Sequence, residues 1–123
     1  MRMLKVHKVW VADDDSAIRV VLEESLSSSG FDVKTFSSGD AVVNELTNDS
    51  PDLLLTDVQM PGMLGYDLLK HINDNHENIP VIIMTAFTDM QAAVDSYGGG
   101  AFEYIPKPFD LDEAIQIINR ALE

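Results

Sequence analysis

The stretch LLLTDVQMPGMLG, residues 53–65, decides how this chain folds. Leu53–Thr56 is too short for a helix and too apolar for a surface strand, so it reads as a strand buried on both faces. It closes on a lone acid, Asp57. Met60-Pro61-Gly62 then supplies a turn, because Pro and Gly set the backbone angles a reversal needs. A helical pattern follows over 65–75.

The same grammar recurs on either side. Val6–Ala12, Val81–Ala86 and Ala101–Ile105 are brief blocks bounded by Pro, Gly or Asp, and Phe31–Phe36 follows the turn signal Ser27-Ser28-Ser29-Gly30. Between them lie helices. Ser16 is expected to cap one whose Ile18, Leu22 and Leu26 share a face, and Asp110 with Glu113 forms a capping-box variant ahead of Ile115, Ile118 and Leu122. Residues 39–48, 65–75 and 88–97 are further helices. Strands that alternate with helices pair in parallel through right-handed crossovers, which puts helices on both faces of one sheet. The expectation is a doubly wound α/β domain of five strands and five helices.

Composition narrows the function. The chain has 123 residues, 8 Lys+Arg against 21 Asp+Glu, a formal charge of −13 and no cysteine, with 46% hydrophobic residues. That charge repels polyanions, which disfavours a nucleic-acid-binding module and an anionic membrane surface. Without cysteine there is no disulfide framework, thiolate nucleophile or Cys-based metal site. The apolar runs fall far short of a membrane span, and Arg2, Lys5, His7 and Lys8 interrupt any secretory apolar region, so a soluble cytoplasmic protein is expected.

In doubly wound sheets, ligands gather beyond the carboxyl ends of the strands, where the strand order reverses. Four such ends carry polar groups: Asp13-Asp14-Asp15, Asp57, Thr85-Ala86 and Lys107-Pro108. Carboxylates brought together there repel one another and call for a cation, and Mg²⁺ suits an all-oxygen set. A pocket with Mg²⁺, an ammonium and a hydroxyl is equipped for phosphoryl transfer. With no thiol available, a carboxylate is the candidate nucleophile. Asp57 stands alone at its strand end and takes that role, leaving Asp13 and Asp14 for the metal.

Four segments, VADDDSAIR (11–19), LLLTDVQMPGMLG (53–65), PVIIMTAF (80–87) and AFEYIPKPF (101–109), together resemble the response-regulator receiver domains of bacterial two-component signalling, over nearly the whole chain. Within the family the chain is most similar to the nitrogen-regulator type, whose receivers precede a sigma-54-dependent ATPase and a DNA-binding domain. The resemblance implies a flavodoxin-like (βα)5 fold, a single domain over 1–123, and an N-terminal domain cut from a longer protein in preference to a free-standing receiver. DNA binding would then reside elsewhere in the full protein.

Carried over position by position, the resemblance makes Asp57 the phosphoacceptor for a sensor histidine kinase. Asp14 would bind Mg²⁺ directly and Asp13 through water, with Asp57 and the Gln59 main-chain carbonyl as further ligands and Asp15 as an auxiliary. Thr85 and Lys107 would contact phosphoryl oxygens, and Tyr104 would change rotamer with Thr85. That coupling would switch the surface of the fourth helix, fifth strand and fifth helix, toward an output domain or a second receiver. Phe87 would hinder hydrolytic water, since positions 59 and 87 influence autodephosphorylation in the family. The Lys107-Pro108 bond would be cis. Leu64, where many receivers carry an acidic or polar residue, and the triple glycine 98–100 depart from the pattern without touching the phosphorylation chemistry.

Each feature also has a plainer reading. Asp13–Asp15 alone would be a helix N-cap region, Thr85 an ordinary strand-end residue, Tyr104 packing and Lys107 a solvated loop lysine; it is their coincidence that favours a site. His7, His71 and His76 end no expected strand and read as surface or packing residues. Two rival functions remain on the sequence. A Mg²⁺-dependent phosphatase with an aspartyl nucleophile needs a general acid two residues on, where this chain has Gln59. A pseudo-receiver, a pure interaction module, would not need the intact set Asp13, Asp14, Asp57, Thr85 and Lys107. Both point back to a signalling phosphoacceptor, not a turnover enzyme.

Overall fold

The computed structural model describes residues 6–76, 78–97 and 100–123, apart from the side chains of Phe87, Ser96 and Tyr97. In chain order the elements are β1 (Lys8–Ala12), α1 (Ser16–Ser28), β2 (Asp32–Phe36), α2 (Gly39–Glu45), β3 (Leu53–Asp57), α3 (Gly65–Asn75), β4 (Val81–Ala86), α4 (Met90–Tyr97), β5 (Glu103–Lys107) and α5 (Leu111–Ala121). A short 3₁₀ turn, Phe87–Asp89, leads into α4. All pairings are parallel, in the order β2-β1-β3-β4-β5. The doubly wound expectation holds.

The three inner strands are buried along nearly their whole length, which is why they read as unbroken apolar blocks, whereas edge strands β2 and β5 are only partly covered. Alternation sorts their side chains onto two cores. Val9, Val11, Leu53, Leu55, Ile82, Met84 and Ile105 pack with Leu22 and Leu26 of α1 and Ala114 and Ile118 of α5. On the other face Trp10, Ala12, Leu54, Val81 and Ile83 pack with Val42 of α2 and Leu68, Leu69 and Ile72 of α3.

Strand β1 starts at Lys8 and helix α2 ends at Glu45, each shorter than expected, and two further expectations shift at the site edge. The cap of α1 is Asp15, whose Oδ1 accepts from the Ala17 N–H, and Ser16 is the first helical residue; a carboxylate at this position also meets the positive end of the helix dipole. The fifth strand runs Glu103–Lys107 instead of Ala101–Ile105, because pairing with Ile82–Ala86 selects those residues. The Asp110 cap of α5 is present, with Oδ1 accepting from the Asp112 N–H. Helix α3 spans Gly65–Asn75 as expected. Gly98 and Gly99 of the triple glycine lie outside the described residues.

Candidate functional site

The strand order reverses between β1 and β3, since β2 lies on one side of β1 and β3 on the other. Asp13 follows the end of β1 and Asp57 ends β3, so the two acids flank the reversal. Continuing the alternation of Val9 and Val11, of Leu53 and Leu55, and of Ile105 puts Asp13, Asp57 and Lys107 on one face parity. Their side chains meet there. Ligand oxygens of Asp13, Asp14 and Asp57 lie within 4.8 Å of one another.

Lys107 Nζ stands between two of these acids, donating to Asp13 Oδ2 at 2.8 Å and lying 3.3 Å from Asp57 Oδ2. The Asp13 side chain is 1% exposed, Asp57 13% and Lys107 22%, so the ions are shielded from bulk water. Burial, then the charge of Asp13, raises the Asp57 carboxyl above its ordinary 3.8 despite Lys107 and the Val58 N–H. For Lys107, burial alone would lower the ammonium, but the hydrogen bond and charge of Asp13, with Asp57, leave it above 10.5. Asp14 is exposed at the mouth.

Local backbone contacts aim these groups. Asp13 Oδ1 accepts from the Asp15 N–H at 2.9 Å, and Asp57 Oδ1 accepts from the Val58 N–H at 2.8 Å. The turn after Asp57 has Gly62 at φ +78°, the left-handed region that a glycine adopts without strain. Gly65 is required by space: a Cβ there would stand 2.4 Å from the Asp57 carbonyl oxygen and 2.9 Å from Val58 Cα. The missing side chain lets α3 start directly against the end of β3, where the Gly65 N–H donates to the Val58 carbonyl at 2.8 Å.

A cleft of about 560 Å³ opens over this edge, lined by Asp14, Asp57, Gln59, Thr85, Asp89 and Lys107, with Val58, Ala86, Ala92 and Ala93. Thr85 is buried and pairs with Pro106. Tyr104 pairs with Ile83, two residues before Thr85, so Thr85 and Tyr104 share the opposite face parity. Tyr104 packs against the α2–α3 core, and burial raises its phenol. Lys107-Pro108 is cis. The Phe87 side chain, and with it the proposed hindrance, lies outside the described residues.

The structure thus joins Asp13, Asp14, Asp57 and Lys107 directly and puts Thr85 and Gln59 on the same cleft. Asp15 caps α1, and the acidic group within ligand distance does not include it. His71 and His76 lie near each other at the end of α3, their ring centres 6.0 Å apart, away from the cleft. Sequence reasoning missed Asp89 and Gly65. Asp89 was four residues past Thr85 on an expected helix, and only the turn Phe87–Asp89 swings it over the strand ends. Gly65, opening a helix whose preceding residue Leu64 makes no side-chain cap, was the readable signal of a close backbone approach.

The chain is similar to known proteins over most of its length. A family model described as response regulator receiver domain matches residues 9–119. The DNA-binding transcriptional regulator NtrC of Klebsiella pneumoniae is 53% identical over 113 residues, 92% of this chain and 24% of that protein. The solution structure of the apo receiver domain of nitrogen regulatory protein C superposes with a TM-score of 0.85 at 52% identity, covering 94% of both chains. NtrX from Brucella abortus, solved with ADP, gives 0.89 at 28% identity over 96% of this chain and 27% of its own. The chain spans about a quarter of the length of the curated relatives it matches.

Proposed function

Because this chain belongs to the response-regulator receiver family and is of the NtrC type, we propose that its own chemistry is to take a phosphoryl group onto Asp57 from a phosphohistidine of a sensor kinase. The observation that carries the reading is the contact set of Lys107 with Asp13 and Asp57, beside Asp14. Three carboxylates in ligand reach of one another form the all-oxygen set that a hard divalent cation prefers. Asp14, Asp13, Asp57 and the Gln59 main-chain carbonyl would hold Mg²⁺, which when bound supplies charge neutralisation for the incoming phosphoryl oxygens.

The residues divide the work. An Asp57 carboxylate oxygen attacks phosphorus, an O–P bond forms, the P–N bond breaks, and the imidazole leaves with its electron pair and takes a proton from solvent. Burial and Asp13 raise the Asp57 carboxyl in the metal-free chain; with Mg²⁺ bound it would be held as the ionised nucleophile. Lys107, fully charged at neutral pH, turns from its carboxylate partners to a phosphoryl oxygen, and the Thr85 hydroxyl donates to another. Phosphorylation brings a charge of about −2 and three acceptor oxygens to the cleft. Thr85 drawn inward leaves room on the face it shares with Tyr104, and a shift of that ring alters the α4-β5-α5 surface.

The domain, over 1–123, works as a signalling switch whose only catalysis is its own phosphorylation and dephosphorylation. Its partners are a sensor histidine kinase and a sigma-54-dependent ATPase with a DNA-binding domain in the full-length protein, with the α4-β5-α5 face available to a second receiver. No helix among the described residues is long and apolar enough to cross a membrane. Acetyl phosphate with Mg²⁺ tests the reading. One phosphoryl group per chain on Asp57 is expected, and Asp57→Asn should accept none. Steady hydrolysis of an unrelated phosphomonoester would replace it with a phosphatase, and no response with a pure interaction module.

A further inference from the structure

Arg19 closes the first turn of α1, and its Nη1 reaches back to donate to the main-chain carbonyl of Asp13 at 2.7 Å. Among the described ion pairs none includes Arg19. The guanidinium is thus spent on a backbone oxygen beside the acids Asp13, Asp14 and Asp57. That oxygen belongs to the peptide plane joining Asp13 to Asp14. With this plane held by Arg19 and the next one held by the Asp15 N–H bond to Asp13 Oδ1, ψ of Asp13 and φ of Asp14 are both restrained, and with them the direction in which the Asp14 side chain leaves the backbone.

The neighbouring groups are already held. The Asp13 N–H donates to the Phe36 carbonyl at 3.0 Å, the Asp13 carboxylate accepts from the Asp15 N–H at 2.9 Å, and Asp15 caps α1. The peptide between Asp13 and Asp14 crosses from the strand to the helix and carries the exposed acid of the cluster. A charge-assisted bond of this length is among the stronger fixings a side chain offers a loop. We infer that Arg19 is a positioning residue: it clamps the Asp13–Asp14 peptide so that the two carboxylates stay presented to a divalent cation. The inference rests on the proposed Mg²⁺ site.

The sign of one substitution decides the matter. Were Arg19 to act on the site through its charge alone, removing that charge would tighten binding of a cation. A clamp gives the opposite result. With the 123-residue chain, Mg²⁺ is titrated into wild type, Arg19→Met and Arg19→Lys, read by backbone amide NMR shifts, with thermal melts recorded free of metal. Arg19→Met is expected to weaken Mg²⁺ binding by roughly tenfold, the scale on which groups orienting metal ligands act. Arg19→Lys, which keeps a cationic donor on a long stem, should recover part of that loss.

Unchanged or tighter Mg²⁺ binding in Arg19→Met would overturn the inference. So would a loss matched by a fraction of unfolded signals in the spectrum, since Arg19 would then be supporting the fold alone. Beryllofluoride added with Mg²⁺ gives a second readout, and its apparent affinity should fall in the same order, wild type, Lys, Met. A wild-type chain that binds no Mg²⁺ would instead defeat the metal-site reading itself.

Discussion

Replacing Lys107 by Met removes the ammonium that contacts both shielded carboxylates while keeping most of the side chain's volume. At an effective dielectric constant of about 20, unit charges at 2.8 and 3.3 Å attract by about 6 and about 5 kcal/mol. Much of that is cancelled, because all three ions lose hydration when they are brought together. Removing one member of such a set costs about 3–5 kcal/mol, since the remaining charges stay buried without a partner. Lys107 is still 22% exposed, so water can enter, and the lower end, about 3 kcal/mol, is expected. For a chain of this size that is a fall in melting temperature of about 12 °C.

The assay is thermal and urea unfolding at pH 7 in the presence of a chelator. Lys107 has its pKa raised above 10.5, so its contribution is complete below that value and is lost only as pH climbs through the raised one. At pH 7 the full effect is on display. Adding Mg²⁺ should then restore much of the lost stability, and the variant should bind the ion more tightly than wild type, because no ammonium competes for Asp13 and Asp57. A metal-free Lys107→Met chain melting within about 3 °C of wild type, the shift of less than 1 kcal/mol, would refute the electrostatic argument.

Asp57→Asn should stabilise the metal-free chain, by on the order of 1 kcal/mol, because burial and Asp13 already disfavour the charged form. In wild type the Asp57 contribution is fully present below pH 3.8 and is lost as pH rises through its raised value, so the wild-type minus Asn difference in unfolding free energy should change over that window; a pH-independent difference would contradict it. Gly65→Ala drives a Cβ into the Asp57 carbonyl and should cost about 3 kcal/mol, so a wild-type urea midpoint would show that the close approach does not exist. Helix α4 should exchange its amides faster than α1: among its described side chains Ala93 alone is buried, whereas α1 buries Leu22 and Leu26, each worth about 2–3 kcal/mol. Equal protection of the two helices, with and without beryllofluoride, would be the contrary result.

Much of this could be read along the chain. Leu53–Leu55, Val9–Ala12 and Val81–Met84 are apolar without alternation because both faces of their strands are covered, and that local fact alone called for a parallel sheet with helices on either side. The acids, threonine and lysine at strand ends were legible for the same reason. Where short-range rules compete, reading failed. Ser16 and Asp15 can each cap a helix, and the start of the β5 ladder depends on its partner strand as well as its own residues.

The sequence by itself determined the fold class, the inventory of ionisable groups at the strand ends, and a nucleophile that had to be a carboxylate for want of cysteine. These depend on composition and on periods of two and 3.6 residues, which are local properties. Only the tertiary structure decided the order β2-β1-β3-β4-β5, the meeting of Lys107 with an acid 94 residues away, the place of Asp89 on the cleft, and the reach of Arg19 to the Asp13 carbonyl. The reason is physical. Ion contacts at about 3 Å are set by cross-strand register and by the packing of helices on the sheet, and neither is encoded in any single stretch of chain.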